Sequence, residues 1–173
     1  MYVTNSLTRH CSVWKRAPDG SHMWVRIDRK ANLFNMDVYI AVCYTPPKTG
    51  TSVVKGFVSQ HVYSDQIADV DLVKQKGAEV LLTGDFNAHT GTRQEYTRLS
   101  EFPQMMQVPE MELDDLPEEG AIRPRSNQDA RQPSSACWGP ELLELCETED
   151  LLILNGRLQG DLFGQCTFHR KQP

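Results

Sequence analysis

Residues 80 to 91 read Val80-Leu81-Leu82-Thr83-Gly84-Asp85-Phe86-Asn87-Ala88-His89-Thr90-Gly91, and the rest of the chain falls into place around them. Val80 to Thr83 has the composition of a short buried strand, which Gly84 ends. Upstream, Val54, Phe57, Val58 and Val62, then Ile67, Val70 and Val73, recur at steps of three and four. This spacing predicts helix from about Val53 to Lys76, broken near Ser64 and stopped by Gly77. Val38-Tyr39-Ile40-Ala41-Val42-Cys43-Tyr44 precedes it, a nearly continuous apolar run of the kind expected for a strand buried on both faces. Pro46-Pro47 and Thr49-Gly50 end that strand, because proline lacks a ladder donor and glycine permits a turn. Strand, helix, strand in this order predicts an α/β layer, and such layers bind ligands where strands emerge into loops.

Residues 2 to 45 are β-rich, with Trp24-Val25-Arg26-Ile27 a further strand and Asp19-Gly20 a hairpin turn before it. From Gln94 to Ser135 the chain is rich in Pro, Glu, Asp, Arg and Ser without a sustained apolar period, which predicts a long surface loop. Pro140 suits the first turn of a helix whose apolar side is Leu142, Leu143, Leu145 and Cys146. Leu151 to Leu154 and Gln165 to His169 are short strand candidates on either side of the Asn155-Gly156 turn.

At 173 residues the chain suits one domain with a real core. Its net charge of -5 excludes a uniformly basic nucleic-acid coat. The charge is uneven: six carboxylates lie between Glu110 and Glu119, and the rest of the chain sums to +1. No apolar run approaches the ~20 residues of a membrane-spanning helix. The N-terminal residues carry no secretory pattern, so an intracellular location is expected, the nucleus included. Five scattered cysteines with no C-x-x-C pair suggest neither a disulfide framework nor a zinc site, and are expected to be reduced and mostly packing residues.

The chemistry centres on Asp85 and Asn87. Two apart in an extended segment, they are expected to face one pocket while Phe86 turns into the core. A carboxylate can deprotonate water or bind a divalent cation, and an amide can donate to an attacked oxygen. Taken alone, the same pair also suits a strand-end turn.

Tyr44-Thr45-Pro46-Pro47 closing a strand, a helix, then Gly84-Asp85-Phe86-Asn87-Ala88 resembles the endonuclease/exonuclease/phosphatase family. Leu142 to Phe168, with Leu152-Ile153-Leu154-Asn155-Gly156-Arg157, Gly160-Asp161 and Thr167-Phe168, is similar to the endonuclease domain of LINE-type retrotransposons, and Arg125-Ser126 with Asp129 is a weaker match to its Arg-x-Ser-x-x-Asp segment. The resemblance covers most of the chain from about Trp24. It implies a four-layer α-β-β-α sandwich of the deoxyribonuclease I kind, and metal-dependent cleavage of a phosphodiester in DNA with magnesium as cofactor. Asp85 matches the aspartate that orients or activates the attacking water, and is the metal-ligand candidate. Asn87 matches its amide partner at the scissile phosphate. Tyr44 matches a tyrosine that helps hold that phosphate, against the plainer reading of an aromatic packed under the proline turn.

Similar domains also carry a magnesium-binding glutamate and an asparagine on earlier strands, and end in a Ser-Asp-His segment. Neither has a counterpart here, so residues 1 to 173 are expected to form an incomplete domain with weak magnesium binding and little or no nuclease activity. Two alternatives stand beside the nuclease: a non-catalytic binding or vestigial module of the same fold, and a phosphatase or phospholipid phosphodiesterase. Arg157 is the candidate nucleic-acid contact, set against a solvated surface arginine. Arg123, Arg125 and Arg131 either touch a nucleic-acid backbone or offset the acidic stretch. His89 reads as a turn histidine facing water, and His61 and His169 have no partner at ligand spacing. Trp138 reads as an anchor at the start of the helix. Oligomeric state stays open.

Overall fold

A computed structural model describes residues 4–93, 95 and 133–156. The chain opens with a short helix α1 (Asn5–Thr8), then β1 (Cys11–Arg16), β2 (His22–Ile27) and β3 (Val38–Tyr44). Helices α2 (Thr51–Val54) and α3 (Val62–Lys74) lead into β4 (Glu79–Asp85), and α4 (Gly139–Thr148) follows. The strands form one sheet in the order β1-β2-β3-β4. The first three are antiparallel neighbours, and β4 runs parallel to β3 after the helical crossover. The molecule is therefore mixed α/β.

The β1–β2 turn is built as its residues require. Gly20 takes a positive φ of 75°, and the Asp19 carboxylate accepts from Ser21 N–H at 3.0 Å. A bulge between Val13 and Lys15 brings Trp14 edge-on to Trp24 and Tyr39, with ring centroids 5.7 and 5.1 Å away. α3 covers this face: Val70 and Val73 pack on Trp24, Tyr39, Ala41 and Cys43, with Val80 and Leu82 at the border. A second cluster of Val53, Val58, Val62, Tyr63, Trp138 and Leu145 joins α2, α3 and α4, and Leu82, Phe86 and Leu151 touch both clusters.

The other face is only partly covered. By register it carries Met23, Val25, Ile27, Val38, Ile40, Val42 and Leu81, of which only Val25 and Val38 are buried. Leu81 is 42% exposed, and Leu33, Phe34 and Met36 overhang this face as a shallow apolar rim. This corrects the expectations that β3 is buried on both faces and that Val80 to Thr83 is a buried strand. In β4 burial alternates, with Val80 and Leu82 half-buried and Glu79, Leu81, Thr83 and Asp85 exposed, the period of a strand packed on one face.

Two further expectations are corrected. The helical stretch after β3 breaks across residues 55–61 rather than near Ser64, where Gly56 takes a positive φ of 71°. Residues 151–154 are not a strand; Ile153 instead donates its N–H to the carboxylate of Glu95, which is buried. Cys43 and Cys146 are buried packing residues, whereas Cys11 and Cys137 are partly exposed; all four are free thiols. Trp138 does anchor the start of α4, fully buried, with Pro140 in the first turn. Among the described residues no helix is long and apolar enough to cross a membrane. Residue 94 and residues 96–132 of the predicted loop, with its arginines, and the Gln165–His169 strand lie outside the described residues.

Candidate functional site

Parallel pairing brings the carboxyl ends of β3 and β4 side by side, so Tyr44 and Asp85 are direct neighbours in register. Both point to the open face of the sheet. Tyr44 is 57% exposed and is not packed under the proline turn, while its N–H is fixed by the carbonyl of Ser21 at 2.8 Å. Asp85 is exposed as well.

Past Asp85 the chain leaves the extended conformation. Gly84 sits at φ 137°, and a Cβ there would lie 1.9 Å from the carbonyl oxygen of Cys43, so β4 meets β3 at a point where only glycine fits. Asn87 adopts a left-handed φ of 45°, so its orientation follows from a turn and not from strand alternation. The Asp85 carboxylate accepts from Asn87 N–H at 3.0 Å, and the Asn87 carboxamide donates to the carbonyl of the buried Thr45 at 2.8 Å. Thr45 N–H in turn donates to the carbonyl of Asp85 at 2.8 Å. These three bonds lock the two strand ends into one corner. Asp85 and Asn87 thus organise a strand-end turn and also share that corner, while Phe86 packs inward as expected.

As a metal ligand, Asp85 offers Oδ2, its Oδ1 being engaged by Asn87. One carboxylate oxygen beside open space suits a magnesium ion that keeps its waters and takes its other ligands from a substrate phosphate. Among the described residues no group of three His, Cys, Asp or Glu side chains converges on a common point. His89 is half-buried, and its carbonyl lies where a side chain on Gly139 would sit, so this loop packs on the start of α4. His61 is exposed immediately before α3. Arg157 lies outside the described residues.

Sequence reasoning missed Tyr63, and read Trp138 only as an anchor of α4, not as a support of the corner. Tyr63 on α3 donates its hydroxyl to the carbonyl of Phe86 at 3.1 Å, and the Trp138 indole donates to the carbonyl of Pro46 at 2.7 Å. It also missed Asp69 on α3, fully buried and bonded to Lys15, to His22 Nε2 at 3.1 Å and to Trp24 Nε1 at 2.9 Å. The His22 Nδ1 is shared with Ser21 Oγ at 3.1 Å, so the residue that holds Tyr44 N–H belongs to the same buried network.

No family model, curated protein or solved structure matches the chain.

Proposed function

We propose that the corner formed by Tyr44, Asp85 and Asn87 binds a phosphodiester of DNA together with magnesium, as the site of a hydrolase of the endonuclease/exonuclease/phosphatase type. The observation that supports this reading most is the register pairing of Tyr44 with Asp85: a phenol and a carboxylate, both exposed, at the ends of adjacent parallel strands. In this reading Asp85 Oδ2 holds the cation or activates water, and the Tyr44 hydroxyl donates to a phosphate oxygen. Asn87 acts chiefly through the turn, since its carboxamide already donates to Thr45.

The finer fold proposed is a four-layer α-β-β-α sandwich of the retroelement endonuclease kind. A sheet with helices on one face and, on the other, Ile40 and Val42 half-buried and Leu81 exposed has the form of half such a sandwich. With Asp85 as the one carboxylate placed at the corner among the described residues, binding is the measurable property and turnover is slow.

The test is fluorescence anisotropy of a labelled DNA duplex titrated with the full chain, with and without magnesium, beside Asp85→Ala. Magnesium is expected to tighten binding of the wild type and to leave the variant unchanged. In the same preparations, nicking of supercoiled plasmid should be slow and dependent on Asp85. Equal affinity of both proteins at every magnesium concentration sinks the proposal. Phosphate release from small monoesters without DNA binding points instead to phosphatase chemistry.

A further inference from the structure

We infer that Tyr63 and Trp138 are positioning residues for this corner, setting the separation of Asp85 from Tyr44 from beneath. The inference rests on the phosphodiester-binding reading. The two side chains are fully buried, 3% and 1% exposed, and their rings touch at a centroid distance of 5.6 Å. They come from different elements, Tyr63 from the first turn of α3 and Trp138 from the residue before α4. Each donates one hydrogen bond, and the two acceptors are main-chain oxygens on the two segments that make the site. Phe86, which accepts from Tyr63, stands between Asp85 and Asn87; Pro46, which accepts from Trp138, stands two residues after Tyr44.

The aromatic pair therefore bridges the strand ends on their buried side, and the part-buried Asn87–Thr45 bond joins the same two ends. Burial pushes the Tyr63 phenol up from its ordinary range, so it stays a donor at neutral pH. Lys48 Nζ lies 5.1 Å from the centre of the Trp138 ring and pairs with Glu141, which fixes the indole from outside. A buried carbonyl that loses its donor moves to find another, and a shift of the Phe86 peptide carries Asp85 and Asn87 with it.

Tyr63→Phe removes only the hydroxyl and keeps the ring; Trp138→Phe removes the indole N–H at greater risk to packing. Both are compared with wild type and Asp85→Ala by anisotropy of the labelled duplex over a magnesium titration, with circular dichroism melting as the control for folding. In Tyr63→Phe the magnesium concentration at half-maximal response is expected to rise about three- to tenfold, the equivalent of one hydrogen bond. Its affinity for DNA without magnesium should stay at the wild-type value. An unchanged magnesium midpoint in Tyr63→Phe, with the response still lost in Asp85→Ala, overturns the positioning role and leaves the site reading intact. Weaker binding in equal measure with and without magnesium also overturns it, because that is what general loosening produces. A wild type that ignores magnesium, or matches Asp85→Ala throughout, removes the site reading and this inference with it. If Trp138→Phe fails to fold, Tyr63→Phe decides alone.

Discussion

The Asn87 carboxamide reaches across from the end of β4 to the main-chain oxygen of Thr45, 2.8 Å away at the end of β3. Among the described residues Asn87 is also one of three non-glycine residues with positive φ, at 45°. The two facts belong together: asparagine tolerates the left-handed region better than most residues, and that conformation is what turns its side chain back toward β3.

Substitution separates the two contributions. Asn87→Gly keeps the backbone conformation and loses the hydrogen bond, so it should destabilise by about 1 kcal/mol. Asn87→Ala loses the bond and adds left-handed strain, for a total of about 2–3 kcal/mol. Urea unfolding of the three proteins gives the difference, and equal stability of the glycine and alanine variants would show that the left-handed turn is not populated in solution.

Gly84 is a sharper case. A methyl group there would lie 1.9 Å from the Cys43 carbonyl, inside the β3–β4 ladder, at a φ of 137°. Neither backbone can give without breaking the parallel pairing, so Gly84→Ala should cost about 4 kcal/mol or more and is expected to abolish cooperative unfolding. Gly77→Ala is the control: it also has a positive φ, of 65°, but nothing lies within 4 Å of the added atom. That change should cost about 1–2 kcal/mol. Thermal melts in which both variants behave alike would remove the steric argument.

These positions also show what the residues alone reveal. The apolar runs of β3 and β4, the Asp19-Gly20 turn and Pro140 in the first turn of α4 are local signals, and each marks its element in the sequence, whereas Gly84, expected to end its strand, lies inside β4, which runs on to Asp85. β1 is harder to read, because the bulge at Trp14 interrupts its alternation and its remaining residues are mixed. A continuous apolar strand such as Val38–Tyr44 suggests two covered faces, yet whether anything covers the second face depends on residues remote in sequence. Asp85 and Asn87 are legible as a pair from their spacing, but Asn87's bond to Thr45 spans 42 positions and Trp138's bond to Pro46 spans 92. No local period encodes such partners.

Asp69 has the same kind of long-range support. Its carboxylate is fully buried against α3's own sheet face and is held by Lys15, His22 and Trp24. Asp69→Ala leaves an indole N–H and an imidazole buried without their acceptor, and should cost about 3–5 kcal/mol. Lys15→Met removes a side chain that is 44% exposed, and should cost no more than about 1 kcal/mol. Chemical denaturation tests both. A mild effect at Asp69 would mean that water reaches the network and replaces the carboxylate.

Acid stability follows from Asp19, the turn residue that ties the β1–β2 hairpin to the segment before α3. Its two carboxylate oxygens accept from Ser21 N–H and Ser59 N–H, each at 3.0 Å. Burial opposes the charged form. Hydrogen bonds from Ser59 and Ser21, with His22 nearby, outweigh it and hold the group below the ordinary carboxylate value of 3.8. Because the pKa is depressed in the folded chain, the unfolded chain binds the proton more readily. The stabilisation is therefore complete above about pH 4 and is lost as pH falls through the folded value. Asp37 is depressed too, by the hydrogen bond from Arg29 N–H and, against some burial, by Arg26, so it contributes in the same direction and window. Urea midpoints should fall steeply below pH 4 in the wild type, less steeply in Asp19→Asn, and least when Asp37→Asn is combined with it. At neutral pH Asp19→Asn should itself be less stable, because an amide oxygen accepts more weakly than a carboxylate. If the single variant keeps the full acid slope, the link from Asp19 to Ser59 is not made in solution.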